Sequence, residues 1–370
     1  MSSALSGLRV IDISGTVATS YCAKLFTDYG AEVINLEPGE GFQTRRLHPF
    51  LEHTSEADKS AMHAYLSTNK LSLNREQLSH SKLTSLIKSA DLILDDGTET
   101  ELTSYSRNVR ASISWYGRTG EYADFTGSDA QCFALNGMLR SIGRVEGPPL
   151  IPTGYQAQIV GGLSAFIGAM VHVLAAELGN RQELVELETS IFEACLCFTD
   201  VGAVSSHNTN IEVPRLGINR FPPTYPLGIF PCRDGWIGLT VLTPSQWDAF
   251  CKILEIDEYA DVELFQTAVG RLQSIDILEP IIMEKLLEHS AEELFYRGQE
   301  NAVPLARVPT MEELFGVDQF VHRHAFAQAS LPDNRKLQVP TVPFRLYATP
   351  PSFGGTVASL GAHTGEFANV

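Results

Sequence analysis

Residues Ile159 to Ala176 form a run of eighteen without a formal charge, set inside PTGYQAQIVGGLSAFIGAMVHVLAAE at 152–177. A run of that length has few places to go. It approaches the span of about 18 to 20 apolar residues that crosses a bilayer, but Gly161, Gly162, Gly168 and a mid-run His172 weaken a membrane reading. The pattern therefore predicts a buried core helix. Gln158 then stands at the N-terminus of that helix, where unpaired N–H groups and the helix dipole favour an anion. The chain offers a neutral amide there, and a carboxylate introduced at 158 is expected to have a depressed pKa.

The rest of the composition narrows the function classes. At 370 residues, with 44% hydrophobic and 19% charged residues, the chain is long enough for one large or two ordinary domains around a real core. A formal charge of -17 with no local cluster of Lys and Arg argues against a phosphate-backbone binder, so nucleic acid is not an expected partner. The six cysteines lack CxxC spacing, which fits a reduced compartment. Cys195 and Cys197 read as small buried hydrophobes. The first twenty residues show no basic segment followed by an apolar core, and the expected location is cytoplasmic. His322 and His324 lack a third ligand at suitable spacing, so no metal is expected.

The order of elements predicts an α/β fold. Leu8–Ile13 reads as a strand, Thr16–Tyr29 as a helix ended by Gly30, and Glu32–Leu36 as a second strand. The turn Ser14-Gly15-Thr16 has one glycine where a dinucleotide fingerprint has three, so Glu37 is not read as a ribose ligand. Strands follow at 70–73, 92–94, 111–114 and 184–187, with helices at 75–89, 129–142 (capped by Ser128) and 190–204. Such alternation implies a parallel sheet. After Ser205 the texture becomes polar and proline-bearing. The expected organisation is a large α/β domain over 1–204, a linker over 205–224, a small domain over 225–325 and a tail over 326–370 that returns to the large domain. The small domain opens with a hairpin, Tyr225–Phe230 and Trp236–Leu242, followed by helices at 245–254, 272–289 and 291–299 and a strand at 305–308. Trp236 and Trp247 are expected to pack that domain.

Several segments together resemble the class III CoA-transferase family of the CaiB/BaiF type. They are LSGLRVIDIS and AKLFTDYGAEVINLEPGEG near the start, STNKLSL at 67–73, SISWYGRTGEYA at 112–123, RLGINRFPPTYPLGIFPCRDGWIGL at 215–239, AVPLARVPTMEELF at 302–315 and SLGAHTGE at 359–366. The resemblance implies a Rossmann-like large domain with a smaller α/β domain, and two chains interlocked as ring links. It implies CoA or acyl-CoA as substrate with no permanently bound cofactor, and transfer of CoA from an acyl-CoA to a carboxylic acid through an aspartate nucleophile.

Matching AQIVGGL to the family motif puts Gln158 on the nucleophile position, where an amide cannot act as one. Glu177, about 28 Å along the same helix, cannot stand in. Ser128 and Gln158 also replace the His and Asp of the racemase branch, which removes both proton carriers. Pro38 stands where many members carry Arg, and Leu94-Asp95-Asp96-Gly97 replaces the family's Glu-Asn-Phe-x-Pro-Gly. The resemblance implies CoA contacts at Thr16, Val17, Asn69 and Lys70, and places Asp129 beside the acyl pocket. The expected function is the aspartate-lacking subunit of a heteromeric CoA-transferase, with an aspartate-bearing paralogue as interlocked partner. A non-catalytic acyl-CoA-binding protein and an acyl-CoA hydrolase with an unidentified base are the alternatives. The acyl donor and acceptor are not encoded in any one stretch.

Overall fold

The computed structural model describes residues 3–52, 56–99, 101–105, 109–179, 185–209 and 215–368. They form two compact units, one of Met1–Met138, Ile151–Ile211 and Val317–Val370, the other of Leu139–Leu150 and Glu212–Gly316.

The first unit is built on six parallel strands: β1 (Arg9–Asp12), β2 (Glu32–Glu37), β3 (Leu71–Asn74), β4 (Leu92–Asp95), β5 (Val109–Ser114) and β6 (Val185–Ser190). Their order is β3-β2-β1-β4-β5-β6, so the chain reverses its direction of travel across the sheet between β1 and β4. Val10, Ile11, Val33, Ile34, Ile93 and Leu94 are almost fully buried, as strands covered on both faces must be. Helix α1 (Val17–Asp28) starts where the Thr16 hydroxyl accepts from Thr19 N at 3.1 Å, and the chain leaves it through Gly30 at φ +98°. The helices that follow in this unit up to residue 209 are α2 (Ala61–Leu66), α3 (His80–Lys88), α4 (Asp129–Leu135), α5 (Gln156–Glu177), α6 (Ile191–Ala194) and α7 (Asp200–Thr209), and two more, Asp318–His322 and Thr364–Ala368, lie in its C-terminal segment.

Three expected helices are shorter than their apolar patterns. Residues 75–89 divide, because Asn74 Oδ1 accepts from Glu76 N at 3.0 Å in a local turn and Ser79 then caps α3 afresh. The 129–142 segment stops at Leu135, where Asn136 donates to Cys195 O at 3.0 Å and accepts from Met138 N. The 190–204 segment breaks into a 3-10 turn at Cys195–Phe198, which leaves Cys197 exposed while Cys195 stays buried. In the strand expected at 184–187, Leu184 lies outside the described residues and β6 continues to Ser190.

The uncharged run is indeed helical, but it is not buried all round. The small residues Ala157, Gly161, Gly162, Ala165 and Ala169 of α5 face inward, and a Cβ at Gly162 would lie 2.5 Å from Ala18 O on α1. On the opposite side Leu163, Ile167, Val171 and Leu174 are 42–60% exposed. Gln156–Ala175 is long and apolar enough to cross a membrane by length and composition, with only 33% of its most apolar window buried. The expectation of an enclosed core helix is therefore corrected to a helix seated on one face. Small residues allow the close approach to α1, and large ones are left outside.

In the second unit, β7 (Leu227–Cys232), β8 (Gly235–Thr240) and β9 (Leu305–Arg307) form an antiparallel sheet in that order. The hairpin turns through Arg233 and Asp234, with Gly235 opposite Cys232 as the first residue of β8. Trp247 is fully buried with Phe250, Leu278 and Ile282, but Trp236 is 54% exposed and contributes no core, because alternation along β8 turns it outward.

The tail belongs to the first unit. His363 Nδ1 accepts from Ser72 N at 3.2 Å, His363 N donates to Ser72 O, and Thr364 Oγ1 accepts from Asn74 N. These bonds pin the chain end to the outer strand β3.

Candidate active site

Open parallel sheets bind ligands outside the carboxyl ends of their strands, at the point where strand order reverses. Here that point lies between β1 and β4, and a cleft of 860 Å³ opens there. Much of its wall comes from the carboxyl ends of the strands and the residues that follow them: Thr16 and Val17 after β1, Asp96 to Thr98 after β4, Ser114, Trp115, Gly117 and Arg118 at and after the end of β5, and Ile191 after β6. Gln43 and Leu47 after β2, the segment 123–127, Tyr155 and Gln158 also line it.

The first two turns are built from Asp12 and Ser14. Asp12 ends β1 fully buried, and its Oδ1 accepts from Ser14 N at 3.1 Å and Gly15 N at 3.0 Å. Gly15 has φ +61°, and a Cβ there would fall 1.9 Å from the Phe42 ring, so only glycine fits this turn. Ser14 Oγ accepts from Asp96 N at 3.0 Å, which ties the turn after β4 to the turn after β1. Burial raises the Asp12 pKa, while the Lys70 charge and the two turn N–H groups oppose that rise.

Gln158 lies in the first turn of α5, only 8% exposed, on the cleft wall. Its backbone N donates to Asp129 Oδ1 at 3.2 Å and its Nε2 donates to Asp129 Oδ2 at 3.0 Å. A carboxylate only accepts, so Asp129 fixes which way the amide faces: nitrogen toward Asp129, Oε1 away from it. Asp129 is itself the first residue of α4, whose cap is Ser128, with Ser128 Oγ accepting from Gln131 N at 3.3 Å. The carboxylate that this helix N-terminus favours is thus already present, supplied by a neighbouring helix. This overturns the expectation of a depressed pKa for an acid at 158, since such an acid would face the Asp129 carboxylate.

Thr16, Val17 and Gln158 meet in the cleft, with Asp129 directly behind Gln158. Asn69 and Lys70 do not line this cleft. They border a separate pocket of 410 Å³ beside tail residues Thr356 to Ser359. Asn69 sits at φ +59°, with Nδ2 donating to Gly354 O at 2.7 Å and Oδ1 accepting from Thr356 N at 3.2 Å, so both ends of its amide hold the tail. Lys70 is 3% exposed, and its Nζ donates to Ser20 O at 2.8 Å. Burial brings its pKa down to about 8, against the opposing charge of Asp12. Its ammonium thus supports the first turn of α1 from the interior. Glu37 is likewise committed inside, accepting from Arg45 Nε and Nη2 at 2.7 Å each and from Ser72 Oγ at 2.6 Å. Pro38 accepts from Gly41 N in the turn that follows.

Sequence reasoning missed Arg118, Asp96 and Trp115 as cleft residues. The available signal was their place just after the predicted strands at 92–94 and 111–114, where a parallel sheet exposes its ligand edge.

The sequence pattern of CoA-transferase family III matches residues 5–364. Among curated relatives, the succinate–glutarate CoA-transferase of Agrobacterium fabrum is 26% identical, over 98% of this chain and 94% of that protein. The succinyl-CoA–L-malate CoA-transferase alpha subunit of Chloroflexus aurantiacus is also 26% identical, over 98% of this chain and 86% of that protein. A crystal structure of a CAIB/BAIF family protein from Brucella suis covers all of this chain and 99% of its own, at a TM-score of 0.87 and 20% identity, and so shares the fold. With a family pattern spanning nearly its entire length, this chain belongs to CoA-transferase family III.

Proposed function

We propose that this chain takes an acyl-CoA and a carboxylic acid at the β1–β4 cleft as the aspartate-lacking subunit of a heteromeric CoA-transferase. An interlocked, aspartate-bearing partner chain supplies the nucleophile. The observation that carries this reading is the Gln158–Asp129 pair. The residue aligned with the nucleophile is an amide whose nitrogen is held by Asp129 at 3.0 Å, and the carboxylate behind it has both oxygens engaged by Gln158. An amide oxygen cannot form and release the acyl and CoA intermediates that an aspartate carries.

Two features support the assembly. The exposed apolar stripe Leu163, Ile167, Val171 and Leu174 on α5 is a surface that a second chain covers favourably. Two of the relatives from Chloroflexus aurantiacus are named alpha subunits. The substrates are acyl-CoA and a carboxylic acid, the cofactor set is empty of permanent groups, and the location is cytoplasmic.

The test is purification of the chain alone and with the product of a neighbouring paralogous gene, followed by CoA exchange and mass spectrometry of each chain. The reading expects exchange only in the mixture and a covalent adduct only on the paralogue. A covalent adduct on this chain alone refutes it. Thioester hydrolysis by this chain alone selects the hydrolase alternative, and CoA binding with neither reaction in any mixture selects the non-catalytic one.

A further inference from the structure

We propose that Arg118 is the anion-holding residue of the cleft, a releasable guanidinium that pairs with a phosphate or free carboxylate of the bound CoA ester. This rests on the CoA reading above. Among the described residues that line the cleft, Arg118 is the only Lys or Arg, and the acids Asp96 and Asp124 share the wall with it. A ligand carrying several negative charges has one cation here to meet.

The surroundings of Arg118 show why it can let go of its present partner. Its backbone N donates to Glu188 Oε1 at 2.6 Å, which fixes the loop after β5 and leaves the side chain at the cleft wall. The side chain is 32% exposed, and its Nη1 stands 3.7 Å from Glu186 Oε2, on a carboxylate that is itself 55% exposed. A loose, solvated pair of this kind contributes little. Glu186 also lies 3.6 Å from Arg110 Nη1, so it keeps a cation when Arg118 turns away. Arg110 cannot take the ligand in its place. It is only 9% exposed and holds the buried Asp95 through Nε at 2.8 Å and Nη2 at 3.3 Å. Of the two arginines that share Glu186, one is locked and one is free to exchange its partner. A planar guanidinium that meets an oxyanion with two parallel bonds gains more than it loses from so weak a pair.

Calorimetry with the full chain and two probes, butyryl-CoA and glutaryl-CoA, tests this assignment. Arg118→Gln should weaken binding about tenfold or more, the size of a lost charge-assisted contact. Weakening of both esters alike assigns the anion to the CoA phosphates. Weakening of glutaryl-CoA alone assigns it to the distal carboxylate of the acyl group. Glu186→Gln should tighten the same ligand a few-fold, because the competing carboxylate is gone, and a merely structural Arg118 would not produce that gain. Unchanged affinity for both esters in Arg118→Gln, or unchanged or weaker affinity in Glu186→Gln, overturns the proposal while ester binding by the wild type leaves the CoA reading standing. If the wild type binds neither ester, the CoA reading falls and the proposal falls with it.

Discussion

Replacing Gln158 with glutamate preserves the side-chain shape and exchanges one NH2 for an oxygen, so the variant isolates the contact with Asp129. In the wild type that contact is an N–H···O bond of 3.0 Å to a carboxylate. Its loss costs about 1.5–3 kcal/mol. Two carboxylates then face each other, and the pair can escape most of the repulsion by holding a proton. Protonating a glutamate of ordinary pKa, about 4.3, costs about 4.4 kcal/mol at pH 7.5, which caps the penalty. The expected loss of stability at pH 7.5 is therefore about 1.5–4 kcal/mol. The sign follows from linkage. An acid whose pKa is raised in the folded state destabilises fully above that raised pKa, and its penalty disappears below the unfolded pKa. At about pH 4.5, close to the ordinary glutamate pKa, the introduced acid is protonated in the folded chain and donates to Asp129 as the amide of Gln158 does, and the deficit should nearly vanish. Denaturant unfolding of both proteins at the two pH values reads this directly. Adding Asp129→Asn should restore stability at pH 7.5 to within about 1 kcal/mol, since the Oδ1 of the new asparagine can still accept from the backbone N of residue 158 while its NH2 donates to the introduced glutamate. A deficit of equal size at both pH values, or a double variant no better than the single one, would refute the reasoning.

Three further outcomes follow from the geometry. His63 is buried beside Arg45, and its pKa is held well below the ordinary value mainly by burial, so the unfolded chain takes up a proton first and stability falls as pH drops below about 6.5; the stability deficit of His63→Gln relative to wild type should shrink by up to about 2 kcal/mol between pH 7.5 and 5, and a constant deficit in unfolding free energy counts against this. Gly162→Ala drives a Cβ to 2.5 Å from the backbone oxygen of Ala18 and should cost about 1–3 kcal/mol, whereas Gly168→Ala meets only the flexible tip of Leu187 at 3.1 Å and should cost less; equal unfolding midpoints for the two variants contradict the close α1–α5 approach. Ile167→Lys, at a position 57% exposed in the single chain, should leave chain stability within about 0.5 kcal/mol while weakening the proposed assembly, and an unchanged mass by light scattering would show that this stripe is not its interface.

Much of the large α/β unit was legible along the chain because its signals are local. A buried parallel strand reads as a short apolar run, as in Val10-Ile11 and Leu92-Ile93-Leu94, and Thr16 and Ser128 announce helix starts through bonds to backbone three residues away. The absence of an aspartate at 158 was also fixed by the sequence, since no folding can turn an amide into a nucleophile. Tertiary structure decided what the local pattern cannot carry. Asp129 and Gln158 are 29 residues apart, and only the packing of two helix starts makes them one hydrogen-bonded pair. Lys70 and Asn69 are adjacent in sequence to nothing that announces their partners, yet Ser20 lies 50 residues from Lys70 and Gly354 lies 285 from Asn69. The burial of Lys70 commits it to the start of α1, and the two amide bonds of the exposed Asn69 commit it to the tail. Helix ends at Leu135 and Ala194 were set the same way, by side chains and turns that outcompete a helical pattern once neighbouring segments close around them. Hydrophobic periodicity reports which face of an element avoids water; which charged group meets which depends on contacts between distant segments, and those exist only after the core has formed.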